Sequence, residues 1–125
     1  MTALSGIAPQ IVVEDVVATA EYYQDKLGFR LIGYFLDPPV YAMVARDGIQ
    51  IHFGKSDGAE VQRSNVALRK VGFDFYLWTD NLDEMFEEIS ARGAQIIQPP
   101  VDRVYGNREF SITDCNGMVL TFGQI

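Results

Sequence analysis

The chain carries an internal repeat, and this repeat constrains the fold more than any other feature. The stretch DGIQIHFGK at 47–55 returns, loosely rewritten, as NGMVLTFGQ at 116–124. Upstream of it, PQIVVEDVVATAEYYQDKLGFRLIG at 9–33 is echoed by FDFYLWTDNLDEMFEEISARGAQIIQ at 73–98. Self-similarity of this extent indicates that one supersecondary unit is used twice.

Each copy reads as a strand, a helix and three further strands. The first helix is expected to start at its N-cap Asp15 and to stop at Gly28, and the second to start at Asp80 or Asn81 and to stop at Gly93. The expected apolar stripes are Val16, Ala20, Tyr23 and Leu27 in one helix and Leu82, Met85, Phe86 and Ile89 in the other. The later strands are expected at about 29–36, 40–46 and 49–54, and at about 94–98, 107–113 and 118–123.

The pattern predicts an α+β fold of two tandem βαβββ modules. They occupy about 1–56 and 70–125 of a single domain spanning 1–125, joined by the polar linker KSDGAEVQRSN. The helix of each module covers one sheet face and leaves the other bare. Two bare faces can curl into a shared cup, and concave, partly apolar surfaces bind small molecules.

Composition excludes several function classes. The net charge of −7 argues against nucleic acid as a partner, because the phosphates would be repelled. An acidic surface is compatible with a cationic small-molecule ligand, and it is also explained by solubility alone. Cys115 is the only cysteine, so no intrachain disulfide is possible and a reducing compartment is indicated. The N-terminal residues do not have the pattern of a signal peptide. No apolar run approaches the length of roughly 18 residues that a membrane span needs. We therefore expect a cytoplasmic protein that does not associate with membranes.

Two phrases carry a family resemblance. VVEDVVATAEYYQDKLGF resembles the opening, and ITDCNGMVLTFGQ the close, of the glyoxalase, bleomycin-resistance and extradiol-dioxygenase superfamily, also called vicinal oxygen chelate proteins. The resemblance covers nearly the whole chain and implies the same two-module fold. It does not by itself imply one activity, because this fold carries many chemistries.

Metal-dependent members of that superfamily place four ligands on the inner face. The matching positions here are Ala8, His52, Asp74 and Thr121. Ala8 cannot coordinate a metal, and a neutral Thr is a poor substitute for the expected Glu. His52 and Asp74 alone fall short of the three protein ligands that a catalytic zinc usually has. We therefore expect no metal and no other cofactor, and leave open whether His52 is a packing residue or a hydrogen-bonding group of the cup.

The second half resembles the bleomycin-resistance proteins, which bind drug without a metal of their own. FYLWTDNLDEMFEE and YGNREFSITDCNG carry this resemblance. Tyr105 stands where Trp is usual in the family, Asn107 lengthens the turn, and Cys115 replaces a Pro. These departures bear on the identity of the ligand rather than on the fold.

Strand alternation sorts the aromatic stretch independently of any family. Phe73, Phe75 and Leu77 are expected against a helix, and Asp74, Tyr76 and Trp78 on the cup face. A carboxylate beside two amphipathic rings suits a planar or cationic ligand, although the rings could equally fill the cup or a dimer seam. Arg108, next to Glu109, is either a ligand contact or half of a rim salt bridge. The complete expected ligand-binding set is Tyr34, Tyr41, His52, Asp74, Tyr76, Trp78, Tyr105, Arg108 and Thr121, and no residue is assigned a catalytic role.

Three functions remain in competition. The first is a binding protein of the bleomycin-resistance type, which confers antibiotic resistance by sequestering an aromatic or cationic compound at the module or dimer interface. The second is a glyoxalase- or dioxygenase-like enzyme, a lyase or an oxidoreductase, that uses a weak metal site or metal-free acid–base chemistry of Asp74 and His52. The third is a ligand sensor or a purely structural dimer. A homodimer is expected in any case, and exchange of the N-terminal strand between partners is left open.

Overall fold

The structure, a computed structural model, describes residues 1–125 and divides into two compact units. The first unit is Met1–Gln62 and the second is Arg63–Ile125. Each unit holds one four-stranded sheet and one long helix, and the second has an additional short helix. The predicted α+β fold of two βαβββ modules is confirmed. No helix is long and apolar enough to cross a membrane.

The first unit contains one helix and four strands. These are β1 (Gln10–Val13), α1 (Val16–Leu27), β2 (Arg30–Phe35), β3 (Tyr41–Arg46) and β4 (Ile49–Lys55). The strand order is β1-β4-β3-β2, with β1 parallel to β4 and the other pairs antiparallel.

Helix α1 begins and ends where the sequence predicts. The Asp15 carboxylate accepts a hydrogen bond from the Ala18 amide at 2.9 Å, which satisfies one of the unpaired donors of the first turn. Gly28 ends the helix at φ 72°. This left-handed conformation is accessible to glycine at little energetic cost, because glycine has no Cβ. All four residues of the predicted stripe, Val16, Ala20, Tyr23 and Leu27, are buried.

The second unit repeats this plan with one insertion. Its elements are α2 (Asn65–Arg69), β5 (Phe75–Trp78), α3 (Leu82–Ala91), β6 (Gln95–Asp102), β7 (Arg108–Thr113) and β8 (Val119–Gln124). The strand order β5-β8-β7-β6 matches that of the first sheet. Helix α2 begins at Asn65, the last residue of the predicted polar linker, and occupies the gap between that linker and the predicted start of the second module near residue 70.

Helix α3 seals one face of the second sheet. Asn81, rather than Asp80, is its N-cap and accepts from the Glu84 amide at 3.2 Å. Phe86 packs edge-on against Phe110, with ring centroids 5.3 Å apart, and Phe110 stacks on Phe122 at 4.7 Å. Because side chains alternate along a strand, the neighbours of these rings on β7 and β8 point to the opposite face.

Strand β6 is longer than predicted. It continues through Pro99 and Pro100 to Asp102 instead of stopping near residue 98. Proline lacks the amide that a central strand must donate, but β6 is the edge of its sheet and pairs only with β7. The register with β7 shifts between Gln98 and Val101, so the prolines fall where the ladder is irregular.

Candidate ligand-binding site

The face of the second sheet opposite α3 carries polar and aromatic side chains in two rows. In one row Tyr76 of β5, Thr121 of β8 and Ser111 of β7 are register partners. In the next row Trp78, Gly123 and Glu109 are partners. The alternation that buries Phe110 and Phe122 under α3 therefore places a carboxylate, hydroxyls and two large rings on the other side.

Glu109 is the centre of a hydrogen-bonded cluster. Its side chain is buried, and its Oε2 accepts from the Tyr76 hydroxyl at 2.6 Å. Its Oε1 accepts from the Tyr105 hydroxyl at 2.8 Å and from Arg103 Nε at 3.1 Å. Asn107 Nδ2 in turn donates to the Tyr76 hydroxyl at 3.0 Å. We call these five residues the Glu109 cluster.

The cluster fixes the charge state of its members. Burial pushes the pKa of Glu109 up, but hydrogen bonds from Tyr76, Tyr105 and Arg103 outweigh burial and leave that pKa below its ordinary value. Burial and the bond to Glu109 raise the pKa of Tyr76 to about 12. The bond to Glu109 is also the main cause that raises the pKa of Tyr105. At neutral pH the cluster is therefore an ionised carboxylate with two neutral phenols and one guanidinium.

A tight turn delivers three of the five side chains. The Arg103 amide donates to the Asn107 carbonyl at 2.7 Å, and the Gly106 amide donates to the Arg103 carbonyl at 3.0 Å. Gly106 takes φ 98°, which a residue with a side chain adopts only with strain. This turn brings Arg103, Tyr105 and Asn107 close to the start of β7, within reach of Glu109.

The cluster forms one side of a cavity of about 640 Å³. Two ring contacts order its aromatic wall: Tyr76 lies 4.6 Å from Trp78 and 5.3 Å from Phe73, measured between centroids. Trp78 is 58% exposed and Tyr105 63%, so these rings have surface available for a ligand. The full lining is Gly72, Phe73, Tyr76, Trp78, Arg103, Tyr105, Asn107, Glu109, Ser111 and Thr121.

Gly123 is what allows Tyr76 to lie against β8. A Cβ at this position would collide with the Tyr76 hydroxyl and Cζ and would sit 2.6 Å from its Cε1. Real Cβ atoms essentially never come this close to another heavy atom. The ring of Tyr76 therefore crosses the strand at a point where only glycine leaves room.

Four of the nine residues predicted to bind ligand line this cavity: Tyr76, Trp78, Tyr105 and Thr121. Asp74 does not line it. Its carboxylate accepts from the Ser64 hydroxyl at 2.8 Å, the Asn65 amide at 2.7 Å and the Val119 amide at 2.8 Å. Asp74 thus ties the start of α2 to the start of β8.

The predicted face of Phe73 was wrong. The alternation assigned it to the helix-covered side with Phe75 and Leu77, but Phe73 is 42% exposed and contacts Tyr76 in the cavity wall. The reason is that β5 begins only at Phe75, so the period of two does not extend back to residue 73.

Arg108 lies outside the cavity. Its guanidinium donates to Asp83 at 3.1 and 3.2 Å and to Asp102 at 3.2 Å, and these bonds raise its pKa. The rim salt bridge that was the alternative for Arg108 is made with these two aspartates, while Glu109 pairs with Arg103 instead.

The remaining predicted residues belong to the first unit. The Tyr41 hydroxyl lies 2.9 Å from His52 Nδ1, and His52 Nε2 lies 2.9 Å from Gln50 Oε1. Tyr34 stands on the edge strand β2, and burial is the first cause that raises its pKa. His52 is therefore a hydrogen-bonding residue, with both ring nitrogens engaged.

The four positions that match metal ligands in the superfamily do not fit a metal. Ala8 has no donor atom, and the Thr121 hydroxyl bonds to the Ser111 hydroxyl at 2.8 Å. Both carboxylate oxygens of Asp74 and both ring nitrogens of His52 are engaged by protein groups. No group of three or more His, Cys, Asp or Glu side chains lies close enough to hold a metal ion.

Solved structures with the same fold include several relatives of low sequence identity. TioX from Micromonospora sp. ML1 aligns with a TM-score of 0.76 and 20% identity, over 96% of this chain and 98% of that one. The bleomycin resistance determinant encoded on the transposon Tn5 aligns with a TM-score of 0.74 and 20% identity, over 97% and 98%. A glyoxalase/bleomycin resistance protein/dioxygenase from Alicyclobacillus acidocaldarius aligns with a TM-score of 0.76 and 18% identity, over 96% of this chain and 90% of that one. At these identities the likeness shows the fold alone.

Sequence comparison supplies the family. No curated protein matches the chain significantly. The profile of one protein family, however, matches residues 6–122, which is nearly the whole sequence. The chain therefore belongs to the glyoxalase/bleomycin resistance protein/dioxygenase superfamily.

Proposed function

We propose that this protein binds a planar aromatic small molecule in the cavity of its second unit and sequesters it without changing it chemically. The observation that carries the proposal is the aromatic wall formed by Phe73, Tyr76, Trp78 and Tyr105 around a cavity of about 640 Å³. A volume of this size suits a drug-sized ligand.

The wall is suited to stacking because its rings are both exposed and held in place. Aromatic side chains gain most from contact when they bury large apolar area at low cost in conformational entropy. The hydroxyls of Tyr76 and Tyr105 are fixed by Glu109, so these rings lose little freedom when a ligand arrives. Trp78 contacts Tyr76 and extends the surface outward.

The lining favours binding over acid–base catalysis. A general acid or base works best when its pKa lies near the working pH. The pKa of Tyr76 is raised to about 12, and that of Glu109 is held below its ordinary value while three donors occupy both oxygens. His52 and Asp74, on which the enzyme alternative rests, are likewise engaged in protein hydrogen bonds.

A role in resistance and a cytoplasmic location are part of the proposal. One structure of the same fold is named as a bleomycin resistance determinant, and that name belongs to that protein. Sequestration of a toxic aromatic compound would give the present chain a comparable role. Expression in a sensitive bacterium, followed by growth on planar aromatic antibiotics, tests this part of the proposal.

The proposal also includes self-association of the chain into a homodimer. Exposed apolar side chains gather on and beside the edge strand β2: Ile32, Tyr34, Phe35, Leu36 and Val40. Apolar edge strands tend to pair with other chains. Light scattering at micromolar concentration should give twice the chain mass of 14.0 kDa, and a mass of one chain would contradict this part.

The binding proposal is tested by a screen that uses the single tryptophan as its reporter. Planar aromatic compounds and, separately, bleomycin are titrated into the protein while Trp78 fluorescence and the melting temperature are followed. A ligand that binds only the native state raises the melting temperature by mass action. We expect at least one compound to quench Trp78 and stabilise the protein together, and stabilisation without any quenching would place the site elsewhere.

A further inference from the structure

The hydrogen-bonding capacity that the cavity has left over points to the chemistry of its ligand. Both oxygens of Glu109 are occupied, and the Tyr76 hydroxyl both donates and accepts. Ser111 and Thr121 bond to each other at 2.8 Å. That bond leaves one hydroxyl hydrogen of the pair, but both side chains are buried. The more accessible donors left for a ligand are therefore those of Arg103 and Asn107.

Arg103 has most of its donors unused. A guanidinium carries five N–H donors, and in this protein only Nε is engaged, by Glu109 at 3.1 Å. The Nη1 and Nη2 atoms donate no hydrogen bond to a protein acceptor, the side chain is 40% exposed, and the residue lines the cavity. Because the Nε bond to a buried carboxylate anchors the guanidinium, the fork of Nη donors is oriented before a ligand arrives.

The charge balance of the lining points the same way. Arg103 and Glu109 are the only charged residues among the ten that line the cavity. The carboxylate is buried and already accepts three of the about four hydrogen bonds that it can take, whereas the guanidinium is partly exposed and mostly unused. Asn107 adds one more N–H donor, since only one of its two Nδ2 hydrogens is needed for the bond to Tyr76.

We propose that the ligand is a planar aromatic compound that bears a carboxylate or a similar anionic acceptor group, which Arg103 binds through its two Nη atoms. The inference rests on the proposed function, because the ring of the ligand stacks on Trp78 and Tyr76. Paired N–H donors of arginine match the two oxygens of a carboxylate, and such bidentate contacts are among the stronger hydrogen bonds in proteins. For a cationic ligand the lining offers only Glu109, which is buried and already bonded to three donors including Arg103, because Asp74 lies outside the lining.

The net charge of −7 opposes an anion at long range but does not decide contact. At physiological ionic strength the screening length is about 8 Å, so distant acidic residues are largely screened. The neighbouring Glu109 reduces the attraction of Arg103 for an anion, and the preference for a carboxylate is accordingly expected to be about tenfold rather than a thousandfold.

The test compares three naphthalenes of similar shape by isothermal calorimetry on the full chain at pH 7. The probes are naphthalene-2-carboxylate, neutral naphthalene-2-methanol and cationic naphthalene-2-methylamine. The carboxylate should bind about tenfold more tightly than the alcohol, and the amine no more tightly than the alcohol. Arg103→Gln should remove the preference for the carboxylate, because it should lower the affinity for the carboxylate about tenfold more than the affinity for the alcohol. Arg103→Lys, which keeps the charge and loses the fork, should retain only part of the preference.

Arg108→Gln is the matched control, because it removes an arginine of the same unit that lies outside the cavity. It should leave all three affinities unchanged, and melting temperatures of all variants show whether each is folded. Equal binding of the three probes, or tightest binding of the amine, would overturn the inference and leave the proposed function standing. Failure of all three to bind, or binding that is indifferent to Trp78→Ala, would overturn both.

Discussion

The same sheet face is built in two different ways in the two units. In the first unit Tyr41 pairs with Gly54 and His52 with Gln10; in the second, Glu109 pairs with Gly123 and Thr121 with Tyr76. The first face holds a simple chain of bonds from Tyr41 through His52 to Gln50. The second holds a buried carboxylate that collects donors from a strand and a turn. One backbone plan thus supports either a short chain of hydrogen bonds or an anchored aromatic wall, depending on whether a tyrosine (Tyr41) or an acid (Glu109) stands opposite the strand glycine.

The two strand glycines show how much the second face depends on this anchoring. A Cβ on Gly54 would meet the side-chain amide of Gln10, which is exposed and can move aside. A Cβ on Gly123 would meet the ring of Tyr76, whose hydroxyl is held by Glu109 and Asn107. A position that tolerates change in one unit is therefore restricted in the other.

Removing the acid should have the largest effect on stability. Glu109→Gln keeps the shape of the side chain but replaces an ionised carboxylate, which accepts three hydrogen bonds, by a neutral amide. The NH2 group of that amide would face a protein group that is itself a hydrogen-bond donor. Loss of one member of a buried, hydrogen-bonded charge pair costs about 3–5 kcal/mol, which the partial exposure of Arg103 reduces to about 2–3 kcal/mol. Urea denaturation at pH 7 measures the change. A loss under about 0.5 kcal/mol would show that the cluster does not stabilise the second unit.

Substituting the two glycines compares the units at equivalent positions. Gly123→Ala should lower the free energy of unfolding by about 1–3 kcal/mol, because the displaced Tyr76 ring must leave its place against β8. Gly54→Ala should change it by less than about 1 kcal/mol, in either direction, since alanine also reduces the freedom of the unfolded chain. Denaturant midpoints of the two variants, measured side by side, check the difference, and equal losses would contradict it.

The contribution of Glu109 should depend on pH with a defined sign. Its pKa is lower in the folded protein than the ordinary value of 4.5, so the stabilisation is present above about pH 4.5 and is lost as the pH falls through the lower folded value. The difference in unfolding free energy between the wild type and Glu109→Gln should therefore narrow below pH 4.5. A difference that stays constant down to pH 2.5 would mean that the carboxylate is not preferentially ionised in the folded state.

The bonded pair of the first unit should matter least. Tyr41→Phe removes one hydroxyl that bonds to His52 in a half-buried setting, and a typical intramolecular hydrogen bond contributes about 0.5–1.5 kcal/mol. We expect a loss of about 0.5–1 kcal/mol and no change in ligand affinity. Tyr76→Phe removes a phenol hydroxyl in the second unit, and it should cost more because Glu109 loses a donor while remaining buried.

The sequence predicted most of the fold and part of the site, for different physical reasons. The caps at Asp15 and Gly28 and the helix stripes are local signals, and the hydrogen bonds of the caps were found. The stripe of α1 is buried throughout, whereas in α3 Leu82 and Ile89 are buried and Met85 and Phe86 are half-buried. The role of Glu109 is not local, because its bonds join β7 to Tyr76, 33 residues away, and to the turn that follows β6. The alternation in REFSIT could have placed Glu109 and Ser111 with Thr121, but it carries no sign that Arg103 and Tyr105 reach them. Asp74 and Phe73 were misplaced because the strand begins one residue after Asp74.

The most direct test of the account is a pair of measurements on Trp78→Ala. Trp78 is 58% exposed, so its removal should lower the free energy of unfolding by less than about 1 kcal/mol. Loss of its stacking surface should weaken binding of the tightest naphthalene probe by about 1–3 kcal/mol, roughly tenfold to more than a hundredfold. Tyr34→Ala, which removes a partly exposed ring of the first unit, serves as the matched control and should leave the affinity unchanged. A Trp78→Ala protein that is strongly destabilised yet binds the probe as tightly as the wild type would contradict the assignment of this face as the ligand site.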